Sequence, residues 1–298
     1  MKTAYRHAVI GPGRLGSALA AALAQAGVPV AAIGARCAPD PAAHPPVLAP
    51  ADAAAAADVW WLTVPDDQIG VLASELAGVA RDRAAGAHTS SREAGAALLA
   101  VHCSGLGSLS LLDPLAEAGA AVLCLHPLQS FGAGAGAGVL RDVPCAVTAA
   151  DDITRRFGEE CASLLGMRPF PLADADKPLY HLAAAVACNL FVALESEAAR
   201  LLRDATGRDD TVEMLAPILV TTLQNLTSRG PERALTGPVA RGDVATVRAH
   251  LELLDTQPPR VAATYRALSL QALTLAAPRL DDEMVRALHD LLDAGDRP

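Results

Sequence analysis

Six residues, Gly11-Pro12-Gly13-Arg14-Leu15-Gly16, constrain this chain more than any other stretch. They lie between the apolar run Ala8–Ile10 and a segment whose Leu15, Leu19, Leu23 and Ala26 fall on one helical stripe. Glycines at this spacing, between a strand and a helix, form the fingerprint of a dinucleotide-binding turn. Gly11 permits the tight turn, Gly13 lets the backbone approach a pyrophosphate, and Gly16 lets the helix pack closely on the strand. The helix N-terminus then offers free N–H groups and a positive dipole end to phosphates. A Rossmann domain is the architecture this implies.

The remaining pattern agrees with that start. Short apolar runs at Val28–Ile33, Val59–Val64, Leu98–Cys103, Ala121–Leu125, Val143–Thr148 and Arg168–Leu172 alternate with helical or turn-rich stretches. Nearly continuous apolar strands separated by helices predict an α/β fold with a parallel sheet covered on both faces. From Lys177 the period becomes helical throughout, with segments near 177–205, 210–228, 243–254, 260–276 and 282–293 and Asp243 as an N-cap. The expectation is an N-terminal nucleotide-binding domain over 1–172 and an all-helical substrate and dimerisation domain over 173–298. Gly132–Gly138 is low-complexity and reads as a loop.

Composition removes other classes. The chain carries 24 basic and 33 acidic side chains, a net charge of -9, and no basic cluster, which argues against a nucleic-acid partner. The longest apolar stretches are interrupted by Gly, Pro or polar residues, so no membrane span is expected. The first residues run straight into a strand, without the pattern of a signal sequence, and a cytoplasmic protein follows as an expectation. Cys37, Cys103, Cys124, Cys145, Cys161 and Cys188 are scattered and contain no C-x-x-C pair. That suggests reduced, mostly buried thiols. His102, Cys103, Cys124 and His126 could suggest a metal, but strand neighbours point to opposite faces, so none is expected.

Cofactor type is legible at the end of the second strand. An NAD site places an Asp or Glu there for the ribose 2′-hydroxyl. Here the residues are Gly34-Ala35-Arg36, and no acid occurs from Ser17 to Pro39. Arg36 is suited to a 2′-phosphate, so NADP(H) is the expected cofactor. Val64, Pro65 and Asp66 end the next strand and are expected to skirt the nicotinamide side of the cofactor. Ser104 and His126 end the two strands after that, at the edge where an open parallel sheet holds its ligand. A His at that edge can move a proton as hydride passes. Gln129 and Ser130 follow His126 and are candidates for substrate contact. Lys177, His181 and Asn189 are spaced along one helical stripe and could form a cleft wall. Thr236, Gly237, Pro238 and Arg241 form a Gly/Pro loop before the Asp243 cap, and Arg241 suits a carboxylate.

Taken in order, GPGRLG, HCSG, HPLQSF, KPLYHLAAAVACN and ALTGPVARGD make the chain resemble bacterial Rossmann-like oxidoreductases whose C-terminal helical domain is of unknown function. It is also similar, more remotely, to pyrroline-5-carboxylate reductases, prephenate dehydrogenases, ketopantoate reductases and deazaflavin-dependent NADP reductases. The likeness to prephenate dehydrogenases implies catalytic roles for Ser104 and His126. That to pyrroline-5-carboxylate reductases implies a substrate loop at Thr236, Gly237 and Pro238, with Thr246, and an interlocked homodimer through the C-terminal domain. That to ketopantoate reductases makes Lys177 and Asn189 candidates, at an unusual spacing. The reaction expected is hydride transfer between NADPH and a small carboxylate-bearing carbonyl compound, such as the 2-oxo acid ketopantoate. His126, Lys177 or His181 would handle the proton. Imine reduction and a catalytically silent NADP-binding sensor are the alternatives.

Overall fold

The computed structural model describes residues 5–36, 40–87 and 98–293. By internal contacts the chain forms two compact units, Met1–Asn189 and Leu190–Pro298. The helix beginning at Lys177 therefore belongs with the sheet, beyond the expected line at 172/173. The reason is its first turn, which buries Lys177 at 1% exposure against the strand ends.

The first unit is built on an eight-stranded sheet, β1 (His7–Ile10), β2 (Val30–Gly34), β3 (Val47–Leu48), β4 (Val59–Leu62), β5 (Leu99–His102), β6 (Ala121–Pro127), β7 (Pro144–Ala149) and β8 (Arg168–Pro171). Their order is β3-β2-β1-β4-β5-β6-β7-β8. The strand order reverses between β1 and β4, which run parallel, and in such folds a ligand lies at that crevice, outside the carboxyl ends of the strands. Helices α1 (Arg14–Gln25), α2 (Pro50–Ala55), α3 (Asp66–Ala87), α4 (Asp113–Glu117) and α5 (Asp152–Leu164) accompany these strands. One core cluster gathers Val9, Leu19, Leu23, Trp61, Val101, Leu125 and Val147, and a second gathers Ile10, Trp60, Leu62, Leu72, Leu76 and Leu115. Alternate residues of the same strands serve the two faces, as a doubly covered sheet requires.

Two features depart from the expected sheet. β6 and β7 run antiparallel, with Cys124 opposite Thr148 and His126 opposite Ala146. A parallel step needs a crossover of a dozen or more residues, usually a helix. Between these strands there is only a loop with a short 3₁₀ turn at Ala137–Leu140, so the chain folds straight back. The two-residue β3 was not expected at all; it pairs with the end of β2 at Ile33 and Gly34.

After α6 (Lys177–Ala185) a single π turn at Val186–Leu190 leads into α7 (Phe191–Thr206). Together they lie in a helical run, Asp174–Thr206, of 33 residues, within which one 18-residue window has mean hydropathy 1.5. By length and composition that run could cross a membrane, contrary to the sequence expectation. Asn189 and Glu195 read singly as interruptions, although the window around them is apolar on average.

The second unit adds α8 (Thr211–Arg229), α9 (Pro231–Ala234), α10 (Val244–Leu254), α11 (Pro259–Ala276) and α12 (Asp282–Asp293). Val247, Leu251, Val261, Leu273, Leu288 and Leu292 form its core. Asp243 caps α10 as expected, its carboxylate accepting from the Thr246 N–H at 3.0 Å.

Candidate functional site

The glycine turn has the shape its sequence implied. Gly11 has φ +106°, and a Cβ there would lie 2.8 Å from the backbone carbonyl of Thr63. A Cβ on Gly16 would run into the Gly11 carbonyl oxygen and come within 2.6 Å of Thr63 Oγ1. A side chain at either position would force the loop off the strand edge. The Thr63 hydroxyl donates to the Gly11 carbonyl at 2.8 Å and fixes the turn. Gly13 by contrast faces open space, with nothing within 4 Å of its missing Cβ. It is also the N-cap of α1, and no side chain caps that terminus. The first-turn N–H groups are thus available to an anion that can approach closely over Gly13. Arg14 and Pro12 are exposed on this turn, and Leu15 packs inward against the core.

Beside the turn lies a cavity of about 240 Å³ with an almost wholly apolar lining. Gly11, Pro12, Arg36, Val64 and Pro65 line it, and so do Gln68 and Leu72 of α3. Its walls fit a flat aromatic base, and the glycine turn at its edge fits the phosphates that such a base would carry in a dinucleotide. Arg36 stands at its rim, with Nη2 at 3.1 and 3.3 Å from the two carboxylate oxygens of Glu75. A larger hollow of about 420 Å³, by Gln25, Arg141 and Asp142, lies at the opposite end of α1 from the glycine turn.

A second constellation is formed where β5, β6 and the first turns of α3 and α6 meet. The Ser104 hydroxyl donates to Asp66 at 2.6 Å and accepts from the Gly107 N–H at 2.7 Å. Asp66, expected beside the cofactor, is thus bound to Ser104. Lys177 is buried, its ammonium donating to the Ser104 carbonyl at 3.1 Å and to Cys124 Sγ at 3.0 Å. Enclosed in this way it braces the ends of β5 and β6, and the geometry does not support it as a proton donor to substrate. Cys124 stays a thiol: burial pushes it up to about 11, against the pull of the neighbouring Lys177 charge.

His126 ends β6 partly exposed, with Nδ1 2.7 Å from the Tyr180 hydroxyl and the two rings edge to face. Burial, followed by the charges of Lys177 and His181, lowers its pKa to about 4. The imidazole is therefore neutral near pH 7, and a role as imidazolium acid is excluded there. His102 is buried beneath it, taken down to about 3 by burial, Lys177 and His126. Its Nδ1 accepts from the Ser104 N–H at 3.2 Å. A Cβ on Gly105 would fall 2.8 Å from His126 Nε2 and 2.9 Å from His181 Nδ1. Glycine at 105 is what allows both rings to close on this backbone. His181 Nδ1 is itself buried without a hydrogen-bond partner.

The remaining expected residues lie on exposed surface or in the second unit. Asn189, expected to continue the stripe of Lys177 and His181, lies in the π turn and is exposed, as are the residues on either side of it. Gln129 and Ser130 are exposed, and Gln129 Oε1 accepts from the Ser130 N–H at 2.9 Å. Thr236, Gly237, Pro238 and Arg241 belong to the second unit, where Gly237 has φ +94° and Arg241 is exposed. Sequence reasoning missed Tyr180, Glu75 and the Asp66–Ser104 bond. Tyr180 lies three residues after Lys177, so a search at i, i+3 as well as i, i+4 would have found it. Among the described residues no group of His, Cys, Asp or Glu is arranged to hold a metal.

Residues 2–127 match the family described as a Rossmann-like domain, and residues 143–272 match the domain of unknown function DUF2520. No curated protein matches it. Among solved structures, a Bacteroides fragilis protein described as a presumed NADP oxidoreductase is 21% identical with a TM-score of 0.65, over 91% of this chain and 98% of its own. A Thermotoga maritima protein is 20% identical with a TM-score of 0.58, over 98% of this chain and 100% of its own. Plasmodium falciparum pyrroline carboxylate reductase, solved with NADP bound, is 11% identical with a TM-score of 0.58, over 97% and 100%. At these identities the likeness is one of fold.

Proposed function

We propose that this chain is an NADP(H)-dependent oxidoreductase acting on a small carboxylate-bearing carbonyl compound, a 2-oxo acid such as ketopantoate being the leading candidate. The observation that carries this reading is the glycine turn at an uncapped helix N-terminus, joined to an apolar cavity with Arg36 at its rim. The NADP held by the similarly folded Plasmodium reductase supports it. When bound, NADPH supplies the hydride. The chain's own residues do the rest. The N–H groups of the first turn of α1 would hold the pyrophosphate and Arg36 would pair with the 2′-phosphate; Val64 and Pro65, expected on the nicotinamide side, share the cavity of Arg36 and so would wall the adenosine side instead. His126, kept neutral by burial and oriented by Tyr180, would donate a hydrogen bond to the substrate oxygen as negative charge develops on it, and solvent would supply the proton that completes the alcohol. His181 is the second candidate donor. Arg241 is the candidate for carboxylate recognition, and the Thr236–Pro238 loop for the remainder of the substrate.

The test is a cofactor titration. NADPH should bind at least about tenfold tighter than NADH, because a charge-assisted Arg–phosphate contact contributes roughly 1.5–3 kcal/mol. Arg36→Ala should remove that difference, and equal affinities in the wild type would sink the reading. Turnover across a panel of 2-oxo acids and cyclic imines then separates the leading substrate class from imine reduction. Binding without turnover on any of them favours a sensor.

A homodimer through the C-terminal helices belongs to the same proposal. Val192 on α7 and Ile218, Val220 and Leu223 on α8 are all more than half exposed. Monomeric soluble proteins seldom leave such contiguous apolar faces uncovered. Light scattering at micromolar concentration should give twice the 30.5 kDa chain mass. A stable monomer, or a chain that stays soluble only with detergent, would refute the dimer.

A further inference from the structure

We infer that Glu75 is a cofactor-specificity residue that narrows the preference for NADPH over NADH by competing with the 2′-phosphate for Arg36. The inference rests on the nucleotide-binding reading above and deepens it. No acid occurs from Ser17 to Pro39, yet α3 brings one to Arg36. Gln68 and Leu72 of α3 line the cavity, and Glu75 follows Leu72 by one turn on that side of the helix. Both of its carboxylate oxygens lie within 3.3 Å of Arg36 Nη2. The two side chains are 60% and 50% exposed, so the pair is held weakly and can open.

A 2′-phosphate and a 2′-hydroxyl meet this pair differently. The phosphate takes the guanidinium from Glu75 and leaves a carboxylate beside a dianion, which opposes binding. The hydroxyl brings no charge, leaves the ion pair closed, and can donate to a Glu75 oxygen as it does to the acid of an NAD site. One carboxylate thus weakens NADPH and favours NADH.

The experiment is a fluorescence titration of NADPH and NADH against the full-length wild type and Glu75→Gln, at low and at high salt. Glu75→Gln should tighten NADPH roughly three- to tenfold at low salt, with a smaller gain at high salt, as expected for charges a few ångströms apart near the surface. NADH affinity should stay level or fall. Unchanged NADPH affinity, or an equal gain for both cofactors, overturns the role of Glu75 and leaves the nucleotide site intact. A wild type that binds neither cofactor overturns the functional reading and this inference with it.

Discussion

Replacing His126 by Asn should lower turnover by about 10²–10⁴-fold while leaving NADPH affinity nearly unchanged, the range expected when a positioned proton-handling group is lost. The expectation follows from how the ring is held. Burial keeps the Tyr180 phenol protonated by raising its pKa, so it can donate to His126 Nδ1 across 2.7 Å. In the tautomer that accepts from Tyr180, Nε2 carries the remaining proton and the neutral ring presents a fixed donor where an imidazolium would titrate. A donor aimed in advance at a developing oxyanion lowers the barrier without reorganising during the reaction. Asn has a donor, but its shorter side chain cannot keep both the Tyr180 bond and that reach. The assay uses whichever substrate of the panel turns over, with Kd for NADPH measured in parallel. Turnover within about threefold of wild type would return His126 to a packing role.

Acid should destabilise the fold steeply between pH 6.5 and 4. His7 is almost fully buried, with Nδ1 accepting from the Trp61 indole at 3.0 Å, and burial lowers its pKa to about 4. His102 and His126 are depressed by burial as well, to about 3 and about 4. In each case the folded pKa lies below the unfolded value of about 6.5. Their contribution to stability is therefore complete above pH 6.5. It is lost as pH falls, because the unfolded chain takes up protons that the folded chain refuses. His7 alone accounts for about 3 kcal/mol across that window, at about 1.4 kcal/mol per pH unit. His126 contributes to the His102 shift, so their losses do not add in full. Against a total stability of roughly 5–15 kcal/mol, acid unfolding near pH 4–5 is expected. Urea midpoints measured from pH 7.5 to 4.5 check this, and a midpoint that does not move below pH 6.5 would refute it. His7→Asn keeps an acceptor for Trp61 and removes one titration, so its pH dependence should be shallower.

Sequence by itself determined the nucleotide-binding half of this protein, because those signals are local. A turn with φ +106° at Gly11 and a helix that closes on the strand at Gly16 need particular residues at fixed spacing, and such needs are written in neighbouring positions. Strand and helix periodicity is local for the same reason, and so is the Asp243 cap. Strand direction was not local. The reversal at β6–β7 depends on the absence of a crossover helix from a loop that reads only as glycine-rich. Side-chain partnership was least legible. Ser104 with Asp66, Lys177 with Cys124, His126 with Tyr180 and Arg36 with Glu75 are separated by 38, 53, 54 and 39 residues. Only the packed sheet, with α3 and α6 laid against its strand ends, brings these groups within hydrogen-bond distance. Their protonation states follow from that packing, since desolvation and neighbouring charge decide whether a histidine is an acid or a neutral donor. Residue types at the sheet edge were therefore readable from the chain, and their chemical state was set by the tertiary structure.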